Sequence, residues 1–214
     1  KKVLVEIKPD NIKNPEALAG IYSMRGLAHV ALRQPTEART AFRQALEAKP
    51  GYVDAMLGQA RLFAVERKLE EAQSEVERAL QAAAKNVEGL MLQGDLLRAQ
   101  GRNEDAGVAY QKAVDAQPSH ADALLALVSL RVAAGAYDEA EQHLQAVRKA
   151  HPSHPMASYF KALIDFRKSE FRSARDAIQQ VLRIAPNHVP SMLLGGAVEF
   201  ALGSHELAQA RLKY

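Results

Sequence analysis

The chain has 214 residues, 48% of them hydrophobic and 25% charged, with no cysteine and no tryptophan. This balance excludes a disordered or fibrous polypeptide, and the missing cysteine excludes disulfides, thiolate metal sites and cysteine nucleophiles while leaving the redox compartment open. The 28 basic and 25 acidic side chains are interspersed for a formal net charge of +3, so charge alone points to no polyanionic partner.

The first residue is Lys1, and the last, Tyr214, falls part-way through a helical pattern, so both ends read as cut from a longer protein whose signal or lipid anchor would be missing. Within Lys1 to Lys8, Val3, Val5 and Ile7 alternate as in a strand, whereas Val3, Leu4 and Ile7 make a helical stripe that suits the end of a preceding repeat. The helix is the preferred reading, and residues 1–18 are assigned to that repeat end and a connector.

From residue 19 onward one pattern recurs. Ala38, Ala72, Ala106, Ala140, Ala174 and Ala208 stand 34 residues apart, and Pro50, Pro118, Pro152 and Pro186 fall on the same grid with Ala84 in the vacant slot. A fixed period of that length signals stacked repeats. Phe42, Val76, Tyr110, Leu144, Ile178 and Leu212 follow each alanine by four residues, placing a small and a large apolar residue on one helical face. The units are 19–52, 53–86, 87–120, 121–154, 155–188 and a truncated 189–214.

Each unit is predicted to hold two helices. The first opens with an acid such as Asp54, Glu88 or Asp122 and carries a stripe such as Met56, Ala60 and Phe63. The second opens with Glu37, Glu71, Asp105 or Glu139, where negative charge suits the positive end of the helix dipole. Gly101, Gly135 and Gly203 lie between the two helices, in the slot for a left-handed residue past a helix end. Arg33, Arg67 and Ser169 occupy that slot elsewhere, each at a cost on the order of 1 kcal/mol if it adopts the same conformation.

A 34-residue helix-turn-helix unit resembles the tetratricopeptide repeat when it has a small residue in the first helix (Gly26, Ala60, Gly94, Ala162, Gly196), alanine early in the second and a closing proline. The resemblance covers residues 19 to 214. The large residue usual at the fourth position appears as Tyr22, Met56, Leu90, Leu124 and Met192, with Ser158 departing from it. The resemblance implies an all-α fold, a right-handed α-α superhelix of about six repeats, stabilised by nearest-neighbour interfaces. Residues Glu6 to Ala19, the run Tyr22 to Ala28 and the run Leu163 to Arg167 are also similar to the long tetratricopeptide lipoproteins found beside exosortase and exopolysaccharide gene clusters in Gram-negative bacteria. That similarity implies an envelope scaffold for polymer export or surface-protein sorting, in the periplasm or at the outer membrane; the alternative is a cytoplasmic adaptor.

Chemistry would rest chiefly on histidine, because His120, His154 and His188 fall on the repeat grid. Equivalent positions of stacked repeats lie about 8–10 Å apart, too far to share one zinc with ligand nitrogens at about 2 Å. These histidines are read as helix-start residues, with Ser119, Ser153 and Asn187 as the neighbouring cap candidates. No glycine-rich phosphate loop, His-Glu-x-x-His helix or nucleophile elbow occurs. Acid pairs such as Glu70 with Glu71 are explained by helix starts. No catalytic residue, cofactor or metal is expected.

Function is instead expected in the groove, which in tetratricopeptide solenoids is lined by the first helices. Mapped onto this chain, it comprises Leu57 and Arg61, then Met91, Leu92, Asp95 and Arg98, then Leu125 and Ser129. Arg61, Asp95 and Ser129 occupy the slot where carboxylate-clamping members carry asparagine, which disfavours a chaperone-tail adaptor. In unit five Tyr159, Phe160, Leu163 and Phe166, rimmed by Arg167 and Arg131, form a candidate pocket for an apolar peptide or partner helix. The competing reading buries these rings between repeats and leaves Arg131, Lys161, Asp165 and Glu199 as ordinary ion pairs. The expected partner is a protein or peptide, with polysaccharide as the alternative and no nucleic acid, since groove arginines alternate with acids. Self-association through an apolar face around Ala208 and Leu212 is a further expectation.

Overall fold

The computed structural model describes residues 12–211; the expected helix over Lys1 to Lys8 and the ladder residue Leu212 lie outside them. Among the described residues the secondary structure is entirely helical. In chain order the helices are α1 (Pro15–Ala31), α2 (Pro35–Ala48), α3 (Val53–Val65), α4 (Leu69–Ala82), α5 (Val87–Ala99), α6 (Asn103–Ala116), α7 (Ala121–Ala133), α8 (Tyr137–Ala150), α9 (Pro155–Arg167), α10 (Phe171–Ile184), α11 (Val189–Ala201) and α12 (His205–Arg211). None is long and apolar enough to cross a membrane. The chain divides into two compact units, residues 1–117 and 118–214.

Local signals set the helix ends. Asn14 caps α1, its side chain accepting from the amides of Glu16 and Ala17 at 2.9 and 3.2 Å. Glu37, Glu71, Asp105 and Glu139 lie in the first turns of α2, α4, α6 and α8. The turn residues Arg33, Arg67 and Ser169 adopt φ of 57°, 61° and 64°, beside Gly101, Gly135 and Gly203 near 76°. The same turn is thus built with and without glycine. The cap expectation shifts by one residue: His120, His154 and His188 are the N-caps of α7, α9 and α11, while the preceding residues precede the cap. Only for His120 does the ring accept a backbone amide, that of Ala123 at 3.2 Å.

In the first unit, α1 packs on α2, α3 on α4 and α5 on α6, while α1, α3 and α5 also stack on one another. The ladder alanines are wholly buried there. Phe42 shows how residue size is matched across helices. A Cβ placed on Gly26 of α1 or on Gly58 of α3 would come within 2.4 and 2.2 Å of its ring, so the ring is clamped between two bare backbones. Tyr110 likewise lies over Gly94, where a Cβ would come within 2.3 Å. Where the ladder residue shrinks to Val76, the helix facing it in the same repeat carries Ala60. Large is matched to small along the row.

In the second unit, α7 packs on α8, α9 on α10 and α11 on α12, with α7, α9 and α11 in sequence beside one another. Its core gathers Ala162, Ala174, Ala177, Ile178 and Val198, with Phe166, Phe171, Leu182, Leu194 and Leu202 packed around them. Asp165 and Glu199 are also fully buried.

Candidate groove of the first helices

Within the first unit the expected groove residues divide into two kinds. Leu57 is buried at 1% exposure and belongs to the core, so it presents no surface. Arg61 stays half-buried and pairs with Glu88 at 2.9 Å, tying α3 to the first turn of α5. Met91 and Leu92 are half-buried, whereas Asp95 and Arg98 are exposed. Asp95 accepts the Tyr110 hydroxyl at 2.7 Å and lies 3.9 Å from Arg98. Burial and the Asp95 carboxylate together push the Tyr110 phenol well above its ordinary value. A groove carboxylate here therefore anchors a core ring as well as facing solvent.

In the second unit Leu125 is only 8% exposed and is core rather than groove, because α9 lies beside α7 at that level. Ser129 is half-buried. Tyr159 is flanked by two rings, Phe160 at 5.6 Å and His188 at 5.4 Å between centroids, both edge-on. Leu163 is half-buried and Arg167 exposed. Phe166 behaves differently from its neighbours, packing into the core and tilting against Phe171 at 5.7 Å. The unit-five aromatics thus separate: Phe166 braces the core, while Tyr159 and Phe160 form a surface cluster with His188.

The ionic set of this unit exceeds ordinary helix-surface pairing. Asp165 is wholly buried, bonded to the Lys161 ammonium and accepting from the Ser173 hydroxyl at 2.6 Å. Lys161 also reaches Glu141 at 3.3 Å, and Lys168 reaches Asp138 at 2.9 Å and Glu141 at 3.3 Å. These contacts join α8 to α9, and Asp165 joins α9 to α10. Burial pulls the Lys161 ammonium down, but hydrogen bonds and charge from Asp165 and Glu141 outweigh it and leave it raised. Arg131 is taken up by Glu139 at 3.0 Å, and Glu199 has Arg211 at 3.7 Å. The sequence signal for this network was the row Arg131, Asp165, Glu199; the part of Ser173 had none.

One feature left no trace in the sequence pattern. A hollow of about 370 Å³ in the first unit is lined by Val30, Pro35, Leu62 and Val65 with Arg33, Gln34 and Glu66 around them. Among the described residues no group of histidine and carboxylate side chains is arranged to hold a metal.

Tetratricopeptide repeat profiles match residues 97–164 and, in a second form, residues 23–88 and 61–121. No curated protein matches the sequence. Among solved structures, PilF from Pseudomonas aeruginosa is 20% identical with a TM-score of 0.82, over 93% of this chain and 90% of that one. PilW, described as a widely conserved type IV pilus biogenesis factor, is 20% identical with a TM-score of 0.79, over 91% and 90%. YrrB, described as a tetratricopeptide protein with an unusual peptide-binding site, is 22% identical with a TM-score of 0.61, over 89% and 94%. These likenesses agree with the all-α helical-hairpin solenoid class seen in the helices, and with the profile matches they establish that the chain belongs to the tetratricopeptide repeat family.

Proposed function

We propose that this protein is a non-catalytic interaction scaffold whose first helices hold a peptide segment or partner helix. The observation that carries this reading is the second unit's half-buried cluster of Tyr159, Phe160 and His188, continued along α9 by Leu163 and Arg167. Rings with an apolar body and an accessible edge supply large contact area at low entropic cost, the property that concentrates binding energy in a few residues. Phe166 supports that surface from the core side. In the first unit the corresponding surface is Arg61, Met91, Asp95 and Arg98, with Ser129 contributing in the second. Leu125 is left out because it is buried.

The assembly served is an envelope one, for exopolysaccharide export or surface-protein sorting, in the periplasm or at the outer membrane of a Gram-negative cell. Support comes from the similarity of residues Glu6 to Ala19 and Leu163 to Arg167 to envelope lipoproteins, and from the likeness in fold to a pilus biogenesis factor. The test is capture from a Gram-negative envelope extract with the wild-type chain and a Tyr159→Ala, Phe160→Ala variant matched for thermal stability. A protein held by the wild type alone is the expected result. Equal capture by both would remove the site from α9, and binding of glycans in place of protein would give the function to a polysaccharide.

A further inference from the structure

Within the two units the seam between α8 and α9 is built differently from the other junctions of one repeat with the next. Across α2 and α3 the Phe42 ring stands over Gly58, where a Cβ would come within 2.2 Å of it. Across α4 and α5 Leu80 stands over Gly89, and across α10 and α11 Ile178 stands over Gly195, the corresponding distances being 2.9 and 3.3 Å. At each of these junctions bare backbone of a first helix lies under a large apolar side chain of the preceding second helix, a close approach dense in dispersion contacts.

On α9 the position of Gly195 is taken by Lys161, one helical turn before the buried Asp165. Rows that are apolar in earlier repeats turn polar with it. Met56, Leu90 and Leu124 are 5%, 4% and 2% exposed, and Ser158 takes their place; Leu97 is 7% exposed, and Asp165 takes its place. Across the seam Lys161 reaches Glu141, and Lys168 reaches Asp138 and Glu141, with both lysine side chains a quarter exposed. Beside these pairs a hollow of about 200 Å³ opens between the helices, lined by Glu141, Leu144, Gln145, Arg148 and Lys161. At roughly 30 Å³ each it has room for several waters, and its polar walls offer them partners.

These junctions differ in what can loosen them. Apolar packing is indifferent to ionic screening, whereas partly exposed ion pairs weaken as salt rises. Local opening starts where apolar contact is sparse and solvent has entry. Asp165 fixes the side on which the break falls, because its partners Lys161 and Ser173 hold α9 to α10.

We infer that the second unit opens at the α8–α9 seam, a salt-sensitive hinge about which the hairpin of α7 and α8 parts from α9 and α10. Opening there changes the spacing of α7 and α9, two of the first helices. The chain has no cysteine, so a single introduced thiol reports opening without background. Leu144→Cys places one at a site 2% exposed beside the hollow, and Val76→Cys places one at the same register of α4, at a site without exposed surface. Should Leu144→Cys lose the native circular dichroism, Val147→Cys at a wholly buried site on α8 takes its place. The folded variants are labelled with DTNB in about 0.1 M and about 1 M potassium chloride, between which the Debye length falls from about 10 to about 3 Å. Labelling on α8 is expected to quicken about fivefold in high salt, the combined weakening of a few partly exposed pairs, with labelling on α4 unchanged. Adding Lys161→Leu and Asp165→Leu is expected to slow the α8 reaction and remove most of its salt response. Equal salt responses on α8 and α4 would overturn the inference. So would labelling on α8 that is no faster than global unfolding, or that responds neither to salt nor to the double replacement.

Discussion

Replacing Gly58 by alanine tests the size matching that orders the first unit. In an open helix this change would stabilise by about 1 kcal/mol, because alanine loses less backbone entropy. Here the new Cβ would stand 2.2 Å from the Phe42 ring, and the ring has little room to withdraw, because the Gly26 backbone crowds it as well, a Cβ there coming within 2.4 Å. Relief requires the helices themselves to move by roughly 1 Å, and overpacking of that kind costs about 1–3 kcal/mol. Taking the upper end because two backbones crowd the ring, the expected net loss is about 2 kcal/mol. Urea unfolding followed by far-UV circular dichroism reads it directly. The companion variant Phe42→Val vacates the space, so Gly58→Ala placed in that background should recover its helical gain and stabilise. A favourable coupling of 1 kcal/mol or more between the two sites, on the scale of about 0.5–3 kcal/mol seen for contacting residues, is the signature. If Gly58→Ala is neutral in the wild type, or its effect is the same with valine at 42, the ring is not clamped and the reasoning fails.

Removing the buried acid by Asp165→Ala strands Lys161 and Ser173 and should cost about 3 kcal/mol, whereas Asp165→Leu combined with Lys161→Leu should lose far less; equal losses measured by thermal unfolding would deny the pair its role. Because the Tyr110 phenol is raised by burial and Asp95, the unfolded chain releases its proton first as pH rises past about 10. Stability should therefore fall on that alkaline limb, and Tyr110→Phe should flatten it while costing about 1 kcal/mol at neutral pH through the lost hydrogen bond. His143 is pulled below its ordinary value by burial and by Arg131, so the unfolded state takes up a proton more readily and stability should decline as pH drops through about 6.5; His143→Gln should remove part of that slope in a pH series of urea midpoints. Asn14→Ala deletes the cap of α1 and should cost about 1 kcal/mol, seen as faster amide exchange at Glu16 and Ala17.

The repeat architecture was legible because its signals are local and periodic. The alanines that recur every 34 residues are all buried, and the three non-glycine turn residues adopt the left-handed conformation that their place in the grid demanded. The site was less legible because exposure depends on what stands beside a helix. Leu57 and Met91 stand at one register of the repeat, yet Leu57 is 1% exposed and Met91 half-buried, and the period does not distinguish them. Asp165 presents the opposite case. An acid on a row usually apolar was visible, but its burial follows from the coincidence of Lys161 one turn earlier and Ser173 on the next helix, which no period announces.

The clamp on Phe42 has a further consequence for how such a chain can be rearranged. The space that ring occupies is left open by α1 of its own repeat and by α3 of the next, through Gly26 and Gly58. The second repeat therefore carries a glycine whose purpose lies in the first. A repeat copied or moved as a block would arrive without the glycine its ladder ring needs, or would bring one where the neighbouring residue leaves a void. The heritable module is thus offset from the visible period: it runs from the middle of one helical hairpin to the middle of the next, and recombination that respects this boundary should preserve folding where cuts at the prolines would not.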